Sequence, residues 1–404
     1  MDLRINKATL NNLSVALLLL IILFFPNNRT FVRFYYLLLL AGIPLLLATK
    51  KMYFDYLSII GIGVLIIHTL LTLLRFGVIV DPNIRDYTEL IRFTIPVLLL
   101  IFREKFKYLT LKTLFIVFAF YATVDCLFSI LDFLNLDIAG LISATKSLYA
   151  APWHAGVAYR ITGLSTGPGQ HGVLMLIFFT FFYCRIFQKQ RVTAALFFSF
   201  ISTIPIFLSQ TRTAVVGFLL ICVAVPTFYL IFGRKFSRRR SVPVLSSFIM
   251  VGGYLVIQFY DFFRRFFEVL GGLEHISSFQ TRLGTYETLW NNAMEFPAFL
   301  VLGYGKEFFK RSSFDSEYIL MFYVYGPIIT LFLVGSIITY LVLFLMKKKK
   351  FQYKNNIILF FLFTVGLVMA FPATFFLETR ILPLLFVFVN VAYWENKSLE
   401  NVII

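Results

Sequence analysis

Long apolar runs alternate with short polar segments along the whole chain. A helix needs roughly 20 mostly apolar residues to cross a bilayer. About twelve runs meet that requirement, centred near Leu18, Leu40, Val64, Leu98, Phe118, Phe178, Phe200, Leu220, Val251, Thr330, Val365 and Phe386. Those near Leu18 and Leu98 are short. The pattern predicts an all-α polytopic membrane protein of about twelve transmembrane helices. No internal repeat is evident, and residues 1–404 read as one membrane domain.

The polar segments fall into two alternating sets. One holds Arg4 and Lys7; Lys50 and Lys51; Arg103, Lys105, Lys107 and Lys112; Arg185, Lys189 and Arg191; Arg234, Lys235 and Arg238 to Arg240; Lys347 to Lys350 and Lys354; and Lys397. Cytoplasmic segments retain Lys and Arg, so this bias places both termini in the cytoplasm. The run "LSVALLLLIILFF" resembles a signal peptide, but "PNNRTF" follows where a small-residue cleavage site would stand. It reads as an uncleaved first span. The other set faces outward. It includes Gly77 to Glu89, an external loop at 136–170 and a large external loop at 259–316.

Composition narrows the class. Of 404 residues, 59% are hydrophobic and 14% charged, against about a quarter charged in soluble domains. The net charge of +17 then reports topology before it reports nucleic acid, and no nucleic-acid partner is expected. The 51 Phe and 21 Tyr suit lipid and its interface. Cys126, Cys184 and Cys222 lie inside apolar runs, with neither metal nor disulfide spacing. The histidines His68, His154, His171 and His275 form no HxxxH pair. No metal and no cofactor are therefore predicted.

The outer segments are not simply depleted of positive charge. They carry Arg85, Lys146, Arg160, Arg212, Arg264, Arg265, Arg282, Lys306, Lys310 and Arg311. Guanidinium forks suit phosphate oxygens, although snorkelling to outer headgroups explains any one of them equally well. Arg212 stands in "SQTR", a tight external turn where Ser209 or Thr211 can cap the following helix. A helix start there offers free N–H groups to an anion. In "YRITGLSTGPGQHG", Arg160 precedes a Gly-rich stretch, with Gln170 and His171 where a helix begins. Glycine lets backbone N–H groups approach a ligand, yet an ordinary loop-to-helix turn has the same composition. Further on, Arg282, Tyr286 and Leu289 share a helix face with Trp290 nearby. That arrangement fits a sugar phosphate or an amphipathic helix on the membrane. "DSEYILMFYVYG" puts Asp315 and Glu317 at the start of a span, as a helix cap or as a general base. Asp125 and Asp132 are seven apart on one helix face; Asp125 is deep enough to need a partner, which the sequence does not name. Glu378 and Arg380 form the last external turn.

Taken in order, these stretches resemble the O-antigen polymerase and ligase family of membrane glycosyltransferases. The resemblance runs over Arg160 to Gly326: "RITGLSTGPGQHG", then "SQTRT", then "TRLGTYETLWNNAMEFPAFLVLGYG" in the large loop, then "DSEYILMFYVYG". It implies a GT-C-like fold with short helices in the large external loop. It also implies a metal-independent transferase at the outer face of a bacterial cytoplasmic membrane. The donor would be a polyprenyl-pyrophosphate-linked oligosaccharide. Fixed arginines would stabilise charge growing on the leaving pyrophosphate. By resemblance Arg212 and Arg282 hold that group and act in catalysis, Arg160 assists, and Asp315, with Glu317 as fallback, is the base. Gln170, His171, Tyr286 and Trp290 complete the binding set.

Ligases of this kind tend to carry a histidine where this chain has Asp315. That favours a polymerase of repeat units for O-antigen, capsule or exopolysaccharide over a lipopolysaccharide ligase. Its expected partners are membrane lipid, a chain-length regulator and a flippase. A flippase or transporter would place more charge within spans and show internal repeats.

Overall fold

The computed structural model describes residues 7–28, 30–49, 51–78, 84–150, 161–233, 239, 241–244, 246, 284, 287–288, 290–291, 294–295, 297–305, 316–346, 354–370 and 375–403. Among these residues every regular element is helical and no strand occurs. The helices are α1 (Lys7–Phe24), α2 (Val32–Leu47), α3 (Tyr56–Val78), α4 (Ile84–Ile101), α5 (Leu111–Phe133), α6 (Leu141–Tyr149), α7 (Pro168–Phe187), α8 (Val192–Leu208) and α9 (Arg212–Phe232). They continue as α10 (Ala298–Leu302), α11 (Glu317–Tyr325), α12 (Pro327–Met346), α13 (Lys354–Met369) and α14 (Ile381–Ile403). Two short 3-10 turns, Arg103–Tyr108 and Ile138–Gly140, stand before α5 and α6.

Five helices among the described residues are long and apolar enough to cross a membrane: α3, α5, α7, α9 and α12. Helices α1, α2, α8 and α13 are apolar but shorter. Each centre predicted from the hydropathy pattern falls within a helix except Val251, which lies outside the described residues.

Local chemistry fixes the ends. Pro168 occupies the first turn of α7, where its missing N–H costs no helical bond. The Thr110 hydroxyl accepts the Thr113 N–H and caps α5. Asp137 accepts the Ile142 N–H at 2.7 Å and fixes the start of α6. Asn28 accepts the N–H groups of Thr30 and Phe31 and donates to the Leu148 carbonyl at 2.9 Å, tying the α1–α2 turn to α6. Within the apolar helices, Thr69 and Thr180 turn their hydroxyls back onto carbonyls four residues earlier, both at 2.7 Å.

Helix α7 is the centre of the bundle. From His171 to Phe187 its side chains are all buried, against α5, α8, α9 and α13. A helix hydrophobic on every side belongs inside. Phe118 of α5 meets Phe178 and Phe181 with ring centroids 5.0 Å apart, and Phe388 of α14 at 5.7 Å. A Cβ on Gly217 of α9 would lie 2.5 Å from Leu176, so glycine sets the approach of α9 to α7.

Polar side chains collect at the two ends of this bundle. One end joins the start of α2, the end of α3, the starts of α4, α7, α9 and α14, and the end of α5. The other end, which carries the basic segments, joins the Arg103–Tyr108 turn to α13 and the last turns of α14. There Arg103 is fully buried, paired with Asp55 and stacked 4.0 Å over the Tyr393 ring.

Candidate functional site

The Gly-rich turn and the "SQTRT" turn meet. The Ile161 N–H points at the Leu208 carbonyl, 3.4 Å away. A Cβ on Gly172 would lie 2.7 Å from both Ser209 Oγ and Ala214 Cβ. Arg212 is the first residue of α9, at the helix start the sequence assigns it, and only its backbone is described. The cap differs from expectation: Thr211 precedes α9 but makes no side-chain cap bond. Its hydroxyl donates to the Ser209 carbonyl at 3.3 Å, while Ser209 Oγ accepts the Thr211 N–H at 3.3 Å.

Behind that turn lies a buried pair. His171 Nε2 is 2.6 Å from Asp125 Oδ2, both residues fully buried. The other ring nitrogen faces the Ile161 carbonyl at 3.2 Å. A carbonyl only accepts, so that nitrogen must carry hydrogen for the bond to form. Nε2 also faces the Ser129 hydroxyl at 3.4 Å. The second Asp125 oxygen accepts the Leu164 N–H at 2.8 Å. Asp125 thus holds both the first turn of α7 and the loop before it. Gly163, at φ +49°, passes so close that a Cβ would lie 2.5 Å from His171 Nε2 and 2.6 Å from Asp125 Oδ1. Gly163→Ala is expected to cost about 1–3 kcal/mol from overpacking and backbone strain together, read as a fall in thermal midpoint in detergent. In the same turn the buried hydroxyls of Thr162 and Ser165 have no hydrogen-bond partner among the described residues. Asp132, about two turns further along α5, pairs with Lys146 of α6 at 2.5 Å.

The other two stretches also meet. The turn Gly303–Gly305 lies against the break between α11 and α12. Tyr304 and Gly305 donate N–H bonds to the carbonyls of Tyr323 and Val324 at 2.6 and 3.2 Å. All three glycines here have positive φ, Gly303 +70°, Gly305 +79° and Gly326 +83°. A Cβ on Gly326 would lie 2.5 Å from the Val301 carbonyl, and one on Gly303 2.6 Å from the Gly326 nitrogen. Backbone meets backbone, so neither side can yield. Gly326→Val is expected to cost roughly 2–4 kcal/mol by this clash and the φ penalty. Loss of monodisperse protein on size exclusion would show it.

The segment Phe375–Arg380 joins the two halves. Glu317 is fully buried, and its carboxylate accepts the N–H groups of Phe375 at 2.9 Å, Phe376 at 2.8 Å and Leu377. Burial opposes charge on this carboxylate while the three donors favour it. Three residues on, Arg380 is buried and donates to the carbonyls of Leu164 and, at 2.9 Å, Phe25. Glu378 caps the start of α14 by accepting the N–H groups of Arg380 and Ile381 at 2.7 and 2.9 Å. Thr379 receives the Tyr35 and Tyr36 hydroxyls, and Tyr36 accepts from Arg92 at 2.7 Å. Arg92 also pairs with Glu89 at 2.8 Å, and the Tyr325 hydroxyl donates to Glu89. Beside this segment runs an apolar crevice of about 430 Å³ between α3, α4, α12, α13 and α14. Phe376 and Leu377 form part of its wall, with Val64, Phe93 and Leu385.

Of the site residues the sequence singles out, Glu317 and His171 are buried in this network and Gln170 is half-buried near it. Trp290 is exposed. Arg160, Arg282, Tyr286 and Asp315 lie outside the described residues. The cap before α11 is Ser316, whose side chain makes no cap bond. Sequence reasoning missed three things: the His171 partner of Asp125, the bridging role of Arg380, and the Glu89–Arg92 pair. The signal for the first was present, since a deep aspartate demands a donor at equal depth. Among the described residues no three His, Cys, Asp or Glu side chains gather as metal ligands would. Neither a scan of protein-family models nor searches of curated proteins and of solved structures finds a match to this chain.

Proposed function

We propose that this chain polymerises polyprenyl-pyrophosphate-linked oligosaccharide repeats at the outer face of a cytoplasmic membrane. The observation that carries the reading is convergence. The four stretches that resemble membrane glycan polymerases are far apart in sequence, yet their described parts join at one end of the bundle through Gly172, Gly326, Glu317 and Arg380. A helix start led by Arg212 stands there beside a turn with two buried hydroxyls unpartnered among the described residues, a setting suited to a phosphorylated ligand. The adjoining apolar crevice suits a polyprenyl chain.

In this reading Arg212 and Arg282 hold the pyrophosphate, Arg160 assists, and Asp315 takes the proton of the acceptor hydroxyl. The acceptor oxygen bonds to the anomeric carbon as the sugar–phosphate bond breaks, and polyprenyl pyrophosphate leaves with the electron pair. Fixed cations lower the barrier because charge grows on the leaving group. Arg212→Ala and Arg282→Ala are each expected to reduce polymer by about a hundredfold or more. Protein should remain inserted and lipid-linked single repeats should accumulate, as seen on glycan gels and by mass spectrometry of extracted lipid. Normal chain lengths from both variants would overturn the pyrophosphate assignment. Full activity in Asp315→Asn would remove that residue as the base.

A further inference from the structure

The opposite end of the bundle holds a second pocket that the proposed chemistry does not use. It measures about 470 Å³ and lies between the loop at Lys51–Tyr53, the Arg103–Tyr108 turn, the start of α13 and the last turns of α14. Its rim carries Lys51, Lys107 and Lys397, all exposed. Lys397 Nζ is 5.4 Å and Lys107 Nζ 5.9 Å from the centre of the Trp394 ring, so two cations share one indole. Among the described residues no carboxylate pairs with any of the three lysines.

The acids at the rim do not cancel this charge. Glu395 accepts the backbone N–H groups of Lys354 and Asn355 at 3.1 and 2.8 Å. Glu104 is the second carboxylate in the lining. The ring that gathers Lys107 and Lys397 is fixed, because Trp394 Nε1 donates to the Arg103 carbonyl at 2.8 Å. Three lysines against two carboxylates leave a net positive charge, which an entering anion would offset. The floor of the pocket is apolar, with Phe106, Leu109 and Val391. A free inorganic anion would make no use of that floor, whereas the glycerol and upper acyl carbons of a lipid would. The basic segments assign this end to the cytoplasm, where anionic lipid headgroups concentrate. Trp and Tyr walls are those of a membrane interface.

We propose that this pocket binds the phosphate headgroup of an anionic membrane lipid of the cytoplasmic leaflet. The phosphate sits among Lys51, Lys107 and Lys397, and the glyceride lies on the apolar floor. The site is independent of the glycan chemistry proposed for the other end.

The test uses Trp394 as its own reporter. The chain has three Trp residues, so Trp153→Phe with Trp290→Phe leaves Trp394 alone. This protein is reconstituted in phosphatidylcholine vesicles containing a minor fraction of brominated phosphatidylglycerol or brominated phosphatidylcholine. The anionic lipid is expected to occupy the pocket at least about fivefold more, the equivalent of one lysine's attraction to an anionic surface, and to quench accordingly. Lys51→Gln, Lys107→Gln and Lys397→Gln combined should equalise the two lipids, and the corresponding Lys→Arg variant should restore the preference. Equal quenching in the reporter protein would overturn the proposal. So would a preference that survives the Gln substitutions in protein of unchanged helix content by circular dichroism. Loss of the preference in millimolar inorganic phosphate at constant ionic strength would assign the pocket to a soluble anion instead.

Discussion

Asp125→Ala is expected to be among the most damaging single substitutions in the described part of the chain. Asp125 is fully buried and serves two donors, the His171 ring and the Leu164 N–H. Its removal leaves the Leu164 N–H without an acceptor and His171 Nε2 with only the Ser129 hydroxyl, 3.4 Å away. Each unsatisfied buried polar group costs about 1–3 kcal/mol. Several kcal/mol is a large part of the stability of an ordinary domain. The expected outcome is low yield and early aggregation when thermal midpoints are followed by fluorescence-detected size exclusion. Asp125→Asn separates the causes. Its carbonyl still accepts from Leu164 and its amide donates to an unprotonated Nε2, so the geometry survives without a charge. It should cost about 1 kcal/mol, the net worth of one exchanged hydrogen bond. Equal losses in Asn and Ala variants would show that charge, not hydrogen bonding, holds the pair.

The contrast between this pair and the helices around it shows what the sequence could reveal. The helices were legible because hydropathy is local: each run of apolar residues carries its own signal, and α7, apolar on all sides, even announces its burial. The helix start at Arg212 was legible for the same reason, as a polar gap between two runs. Pairings across the bundle were not. His171 lies 46 residues from Asp125, and Arg380 reaches 216 residues back to Leu164. Nothing in hydropathy says which helix ends become neighbours. Glycines were legible as turns but not as contacts. Gly303 and Gly326 read as two separate motifs, and only their shared backbone approach makes them one feature. The cap expected of Thr211 failed because its hydroxyl turns back to donate to the Ser209 carbonyl, away from the N–H groups of the first turn of α9. Such a choice between a local carbonyl and a helix N–H leaves no trace in residue type.

Glu317→Ala is the second substitution expected to have a large effect, and it distinguishes anchoring from catalysis. Both carboxylate oxygens are taken up by three consecutive N–H groups, Phe375 to Leu377, at a fully buried position. Alanine leaves those three donors bare, at about 1–3 kcal/mol each. It also frees the segment that carries Arg380, whose guanidinium ties the Gly-rich turn and the α1–α2 turn to α14. Loss of Glu317 should therefore weaken both halves of the site together, with thermal stability falling before any kinetic constant can be assigned. Glu317→Gln is the sharper variant. Its single carbonyl can still accept from Phe375 and Phe376, but its amide confronts the Leu377 N–H, donor against donor. On the polymerase reading proposed above, anchoring predicts a stability loss of roughly half that of alanine, with residual polymerisation proportional to the folded fraction. A general base predicts the opposite split: glutamine folds normally and polymerises at no more than about a hundredth of the normal rate. Measuring folded fraction and polymer length on the same membranes decides between the two roles. The three occupied N–H bonds favour the anchor.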